Sequence, residues 1–154
     1  MILEHFNGRV GIRKLFEKTL LNNKEKIILT ILSSDPLIYL AGEDFAQKYM
    51  LQRCKAGIFL KSLRLLLKKT DTPEPKEDRD YKKYYKQVRI APRTLKIKDS
   101  LVIWDDYVAI VTIKYLNKKT ESISSVLINN KENAAIMKKL FDCVWMQSKN
   151  PQYL

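Results

Sequence analysis

The residues of this chain that could perform nucleophilic, acid–base or metal chemistry are few and far apart. His5 is the only histidine, and the two cysteines, Cys54 and Cys143, have no neighbours at the spacing of a metal site. The 4 glycines form neither a Gly-x-Gly-x-x-Gly pattern nor a P-loop, so no glycine-rich phosphate cradle is expected. The sequence therefore predicts no metal, no cofactor and no catalytic residue, with His5 in a structural or exposed position.

Basic residues with interleaved aromatic residues are the clearest sign of binding chemistry. The formal net charge is +12, from 29 Lys and Arg against 17 Asp and Glu. The candidate anion or nucleic-acid surface consists of Lys82, Lys83, Lys86, Arg89 and Arg93. Tyr81, Tyr84 and Tyr85 stand among these residues, and such a surface can hold single strands by stacking and phosphate contacts. The alternative is an amphipathic helix that uses the tyrosines as its apolar face and leaves the lysines solvated.

The elements that must position these residues alternate between helices and strands. Apolar spacing and turn residues predict the following order in the first half: helix 8–23, strand 26–32, helix 43–56 and strand 58–67. A proline-containing loop over 70–78 follows. The second half is predicted as helix 80–86, strands 88–90, 95–97, 101–104, 108–115 and 122–128, and a last helix after a capping box at 129–132.

This order of elements predicts an α/β fold with a mixed central β-sheet and helices on both faces. Two strands separated by a helix indicate a right-handed βαβ unit, whereas the hairpin at Asp105 and Asp106 adds antiparallel strands. The length fits one domain over residues 1–154. No apolar run approaches the roughly 20 residues of a membrane span, and no signal peptide is recognised. The sequence therefore predicts a cytoplasmic protein without a membrane partner.

The segment from Lys98 to Val111 resembles the catalytic strand pair of the phospholipase D superfamily. That superfamily has His-x-Lys-x-x-x-x-Asp on one strand and Gly-Ser-x-Asn after the next. Here Lys98 stands at the histidine position, Ser100 at the lysine position and Asp105 at the aspartate position. The histidine is the nucleophile, and a lysine that is protonated at neutral pH does not replace it. The resemblance implies a phospholipase D-like fold with a degenerate motif and no enzymatic activity.

Nearly the whole chain also resembles the C-terminal effector domains of TrmB-type transcriptional regulators. The segments that carry this resemblance are 7–17, 104–111, 126–132 and 140–145. They match a polar-Gly-x-x-Gly-Ile opening, a turn with its following strand, an aliphatic strand with a polar cap, and a closing Leu-Phe-x-x-x-Trp helix. The resemblance implies a non-catalytic regulatory, ligand-sensing and dimerisation domain. No helix-turn-helix is recognised in this chain.

On this resemblance, the former catalytic cleft becomes a candidate ligand pocket at the strand ends. Its residues are Ser33, Ser34, Lys98, Ser100 and Asp105. A lysine with hydroxyl groups suits a small hydroxylated or anionic ligand. For Asp105 and Asp106, the alternative is that both are simply turn residues.

The partners implied are a second copy of the chain, in a homodimer, and DNA only through a missing or separate DNA-binding domain. The positive charge leaves an alternative function open, namely a stand-alone basic nucleic-acid-binding module or a degenerate phospholipase D-type nuclease.

Overall fold

The computed structural model describes residues 1–33, 37–65, 84–117 and 119–149. Its strands in chain order are β1 Ile2–Asn7, β2 Ile27–Leu32, β3 Phe59–Arg64, β4 Lys86–Ile90, β5 Ser100–Trp104, β6 Tyr107–Leu116 and β7 Lys119–Asn129. Its helices are α1 Gly8–Leu20, α2 Glu43–Lys55 and α3 Lys131–Met146, and a 3₁₀ turn spans Leu37–Ala41.

The strands form one mixed sheet in the order β1-β7-β6-β5-β2-β3-β4. Strand β3 pairs in parallel with both β2 and β4, and the other neighbours pair antiparallel. The β2–α2–β3 segment is the predicted βαβ unit, and β5–β6 is the predicted hairpin. The prediction of a mixed sheet is therefore confirmed.

Helices cover both faces of this sheet. On one face, α1, α2 and the 3₁₀ turn pack around Ile12, Leu15 and Trp104, which are at most 1% exposed. On the other face, α3 packs Phe141 and Trp145 against the strands. Strands β2 and β5 lie under helices on both faces, which explains why their sequences are almost continuously apolar.

The first strand was not predicted from the sequence. Its polar and exposed residues give a weak signal, because β1 is an edge strand that packs through only one face. A tight connection joins it to α1, with Gly8 at a φ of 68°. A Cβ at Gly11 would lie 2.6 Å from the carbonyl carbon of Phe6, so only glycine permits this approach.

Two other predicted elements differ from the structure. Residues 95–97 form no strand, since Leu95 and Ile97 instead anchor an irregular connection against the α3 side of the core. The helix predicted over 80–86 is wrong at its end, because Tyr84 and Tyr85 form a turn and Lys86 begins β4. The rest of that helix and the predicted loop over 70–78 lie outside the described residues. Among the described residues, no helix is both long and apolar enough to cross a membrane.

Candidate ligand-binding site

The four described residues of the predicted ligand pocket, Ser33, Lys98, Ser100 and Asp105, do not all lie at the same end of β5. Ser100 opens β5 and Asp105 follows its end, so the two are about 17 Å apart at ~3.4 Å per residue. Ser33 follows β2, which runs antiparallel to β5, and therefore lies at the Ser100 end. Ser34 is outside the described residues. The prediction of one pocket is therefore corrected: Ser33 and Ser100 contact each other at one end of β5, and Asp105 lies at the opposite end of that strand.

The Ser33–Ser100 pair is buried and hydrogen-bonded internally. The Oγ atoms are 3.3 Å apart, and the Ser33 backbone N–H donates to Ser100 Oγ over 3.3 Å. Lys98, two residues before Ser100, is exposed. The two positions at which the sequence resembles the phospholipase D motif thus hold a solvated lysine and a buried serine.

Asp105 occupies the β5–β6 turn with a left-handed φ of 44°. Its carboxylate accepts the backbone N–H groups of Lys24 and Glu25, each over 3.0 Å, just before β2 begins. Its own carbonyl accepts a hydrogen bond from Lys138, which also pairs with Glu25 at 2.8 Å. These contacts are those of a turn residue that ties two strands and α3 together.

The predicted basic surface is divided between the two faces of β4. Lys86 is 7% exposed and points toward α2, whereas Arg89 points toward α3. Arg89 Nη1 donates to the Trp145 carbonyl over 2.8 Å, and its guanidinium lies 4.6 Å from the centre of that indole ring. Arg93 is exposed in the connection after β4.

The physical reason for this correction is periodicity. Residues spaced three and four apart share a surface in a helix, whereas alternate residues of a strand point to opposite faces. Lys86 and Arg89 differ by an odd number and lie on one strand, so they cannot form a common surface. Lys82 and Lys83 lie outside the described residues.

A cavity that was not predicted lies between the β2–β3–β4 face and α2. Its volume is about 70 Å³. The strand registers place three rows of side chains on its floor: Ile28, Leu60 and Lys86; Thr30, Ser62 and Val88; Leu32 and Arg64. Its roof is built from α1, the 3₁₀ turn and α2 and contains Phe16, Leu37, Ile38, Tyr39, Tyr49, Met50 and Arg53.

Three cationic side chains line this mainly apolar cavity. Arg53 is 1% exposed, Arg64 5% and Lys86 7%. No Asp or Glu among the described residues lines it. Buried charges require compensation by hydrogen bonds or opposite charge, so the lining is chemically unusual for a structural core.

Arg53 joins the end of α2 to the starts of β3 and β4. Its Nη1 donates to the carbonyls of Ile58 at 2.8 Å and Tyr85 at 2.9 Å, and its Nη2 donates to the Tyr84 carbonyl. Its Nε is buried and has no hydrogen-bond partner in the described part of the chain. Burial lowers the pKa of Arg53 from its usual value. The three carbonyls accept from three of the five guanidinium N–H groups and solvate the charge, while the buried Nε is not satisfied by them.

The polar groups beside these cations are hydroxyls. Thr30 Oγ1 donates to Ser62 Oγ over 2.8 Å on the cavity floor. Tyr49 OH lies 2.6 Å from Thr19 Oγ1, whose own proton goes to the Phe16 carbonyl, so the tyrosine donates to the threonine. Burial raises the pKa of Tyr49 to about 12, which keeps its phenol neutral.

The sequence contained a signal for Arg53. It follows Tyr49 by four residues and Ala46 by seven, which places it on the buried stripe of α2. An arginine on the apolar face of a helix requires buried acceptors or a buried anion, whereas one on the exposed face requires neither.

A second groove, of about 280 Å³, lies at the Trp104 end of β5. It is lined by Lys18, Leu21, Asn22, Lys24, Trp104, Asp105, Asp106, Tyr107 and Asn129. Both carboxylates and lysines border this groove, so it presents no single sign of charge. Among the described residues, no cluster of His, Cys, Asp and Glu could hold a metal ion.

Solved structures share this architecture. Nuc from Salmonella typhimurium, a phospholipase D family member, superposes with a TM-score of 0.66 at 14% identity, over 97% of each chain. NucT from Helicobacter pylori gives a TM-score of 0.61 at 8% identity, over 97% of this chain and 99% of NucT. TrmBL2, an archaeal chromatin protein with a novel mode of DNA binding, gives 0.58 at 16% identity.

The similarity to TrmBL2 covers 97% of this chain and 54% of TrmBL2, so the chain spans about half the length of that protein. No protein-family model and no curated protein sequence matches the chain. At such low identities the structural similarity shows the fold. The chain has a phospholipase D-like α/β fold of the kind also found in a TrmB-like protein, as its sequence predicted.

Proposed function

We propose that this chain is a non-catalytic regulatory domain that senses a small ligand and dimerises, as in TrmB-like transcriptional regulators. The observation that carries the proposal is the state of the former catalytic strand. Ser100, at the position of the catalytic lysine, is buried and bonded to Ser33, and Lys98 replaces the nucleophilic histidine. A phosphodiester in this cleft would meet no imidazole.

The position of His5 supports this interpretation. His5 pairs with Val126, which pairs with Ile110, which in turn pairs with Leu101 on β5. Three strand spacings of ~4.8 Å place it about 14 Å from β5. Alternation along β5 also directs Leu101 and Ser100 to opposite faces, so the only histidine is on the wrong side of the sheet. Nucleophilic catalysis needs contact at hydrogen-bond distance.

A phosphodiesterase assay with bis(p-nitrophenyl) phosphate tests the absence of catalysis. We expect no release of nitrophenolate above buffer, and the same result for His5→Ala. The double variant Lys98→His, Ser100→Lys is the informative comparison, because it restores both residue types on the strand. Turnover by the unaltered chain that disappears in Asp105→Asn would contradict the proposal.

Ligand sensing would operate by population shift. A ligand that binds one arrangement of two protomers more tightly than another shifts the equilibrium by that difference in affinity. Any DNA-binding segment attached to the protomers would move with them. This part of the proposal predicts a dimer in solution.

A second candidate function, nucleic-acid binding, is favoured by the connection between β4 and β5. Arg93, Lys96 and Lys98 are exposed there, while Leu95 and Ile97 anchor the segment to the core. Three exposed cations within six residues of the chain are suited to phosphate contacts. TrmBL2 supplies a precedent for DNA binding within this fold group, although that protein is about twice as long.

Fluorescence anisotropy with a labelled duplex at 50 and 200 mM salt tests this candidate. Three lost phosphate contacts should reduce the logarithmic salt slope by about 3 in the triple variant Arg93→Ser, Lys96→Ser, Lys98→Ser. The matched control is Lys14→Ser, Lys48→Ser, Lys55→Ser, which removes the same charge from exposed positions on α1 and α2. No binding at 50 mM salt, or equal loss in both variants, would remove this candidate.

A further inference from the structure

We propose that the cavity between α2 and the β2–β3–β4 face is a binding site for a small tetrahedral oxyanion of the phosphate class. This inference deepens the proposed function, on which it rests, because it names the chemical class of the sensed ligand. The site is distinct from the Ser33–Ser100 pair and from the exposed basic connection after β4.

The size of the cavity limits the ligand. At about 10–15 Å³ per water-sized occupant, the 70 Å³ volume holds about five to seven such groups. A phosphate or sulfate ion has five heavy atoms and fits this space. A nucleotide or a disaccharide requires several times more, since pockets for drug-sized ligands measure ~300–1,000 Å³. Only the charged end of a larger molecule could enter.

The positive charge of the lining residues favours a negatively charged ligand. Arg53, Arg64 and Lys86 all contribute to the wall, each at most 7% exposed, and no carboxylate of the described residues does. In the strand registers, Arg64 and Lys86 bracket Ser62 along the direction of β3. The remainder of the wall is mainly apolar, and a low local dielectric strengthens attraction between these cations and an anion.

The hydrogen bonds of the lining residues also favour an anion. Arg53 Nε is a buried donor without a described partner. Ser62 Oγ already accepts from Thr30, so its own proton remains available for an acceptor. Tyr49 directs its proton to Thr19 and does not compete. Arg53 Nε and the Ser62 hydroxyl are therefore donors that the oxygens of a phosphate can satisfy as acceptors.

Isothermal titration of the whole chain with inorganic phosphate, at fixed ionic strength in chloride, tests the proposal. We expect saturable 1:1 binding, weakened at least 10-fold by Arg64→Gln and about 5-fold by Ser62→Ala. Ser62→Ala removes one hydroxyl and no charge, and circular dichroism of both variants checks that a loss of binding is not a loss of the fold. Lys61→Gln is the matched control, because it removes one cation from the opposite face of the same strand.

Glycerol phosphate, titrated in parallel, distinguishes free phosphate from the phosphate group of a larger metabolite. Tighter binding of the ester by 10-fold or more assigns the site to a phosphomonoester, and equal or weaker binding assigns it to the free ion. Both results support the oxyanion site. Absence of phosphate binding by the folded protein overturns it, as does equal weakening by Lys61→Gln and Arg64→Gln. Neither result changes the phosphodiesterase or oligomer measurements, which test the proposed function separately.

Discussion

At the scale of single residues, Arg53 and Tyr49 show how one helix provides its buried polar groups with hydrogen-bond partners. Both lie on the inner face of α2 and each has specific partners, three carbonyls for Arg53 and Thr19 for Tyr49. The energetic significance of such groups is the cost of leaving a partner unpaired, which exceeds the net contribution of a single hydrogen bond.

Arg53→Met should lower the free energy of unfolding by about 3 kcal/mol. Methionine keeps much of the apolar stem but removes the guanidinium that donates to the carbonyls of Ile58, Tyr84 and Tyr85. Urea unfolding followed by circular dichroism measures the change. The control is Arg9→Met, at an exposed position of α1, for which a change within about 0.5 kcal/mol is expected. Equal effects would mean that the carbonyl contacts contribute no stability.

The raised pKa of Tyr49 predicts that the stability of the protein decreases at alkaline pH. Its pKa is raised from 10.0 to about 12 in the folded state, so the folded state holds the proton after the unfolded chain releases it. The contribution is fully present below pH 10 and is lost as the pH rises from 10 to 12. Two pKa units correspond to about 3 kcal/mol.

The comparison with Tyr49→Phe isolates this contribution from the lysines, which titrate over the same range. Unfolding free energies of both proteins should be measured between pH 8 and pH 12. We expect the difference between them to be constant below pH 10 and to shift in favour of phenylalanine above it. A constant difference up to pH 12 would be inconsistent with a protonated, buried phenol.

At the scale of elements, the starts of α3 and α1 are determined by different features. The N-terminus of α3 is capped by Asn130, whose side-chain oxygen accepts the Asn133 N–H over 2.8 Å, within the segment predicted as a capping box. The β1–α1 connection depends instead on glycine, since no side chain fits between Gly11 and the Phe6 backbone.

Gly11→Ala should therefore destabilise the protein by about 2 kcal/mol or more, because a methyl group 2.6 Å from a carbonyl carbon forces β1 or α1 to move. Gly57→Asn is the control. Gly57 has a positive φ of 70° that asparagine tolerates, and beyond its chain neighbours no atom lies within 4 Å of the position that a Cβ would occupy. Chemical denaturation compares the two. A small loss at Gly11 would show that β1 detaches freely from the sheet.

At the scale of the whole molecule, α3 presents an apolar stripe on the surface away from the sheet. Ile136 is 59% exposed and Leu140 is 55% exposed, one helical turn apart, with Cys143 exposed on the next turn. A solvent-exposed stripe of this kind on a basic protein is a candidate dimer contact.

The proposed regulatory function predicts sedimentation at twice the 18.1 kDa mass of the chain at micromolar concentration. The double variant Ile136→Ser, Leu140→Ser should weaken the dimer at least 10-fold while leaving the fold intact, because both side chains are exposed in the protomer. Leu51→Ser, at a 66% exposed position of α2, is the control. A monomer at 100 micromolar would contradict the dimeric regulatory domain.

Much of the fold could be predicted because its signals are local. The apolar runs of β2 and β5, the stripe of α1 and the hairpin residues at Asp105 each report their own surroundings, and together they predict a mixed sheet with helices on both faces. Strand β1 could not be predicted in this way, because an edge strand packed on one face leaves little trace in its composition.

The sequence by itself also determined that the segment from Lys98 to Val111 contains no histidine, since that follows from residue types alone. Only the tertiary structure decided which polar residues meet. Parallel pairing of β3 with β2 and β4 brings Ser62, Arg64 and Lys86 to one cavity under Arg53, and it sends Arg89 to the other face. The physical reason is that periodicity describes one element at a time, whereas a site depends on the register and order of strands that are distant in the chain.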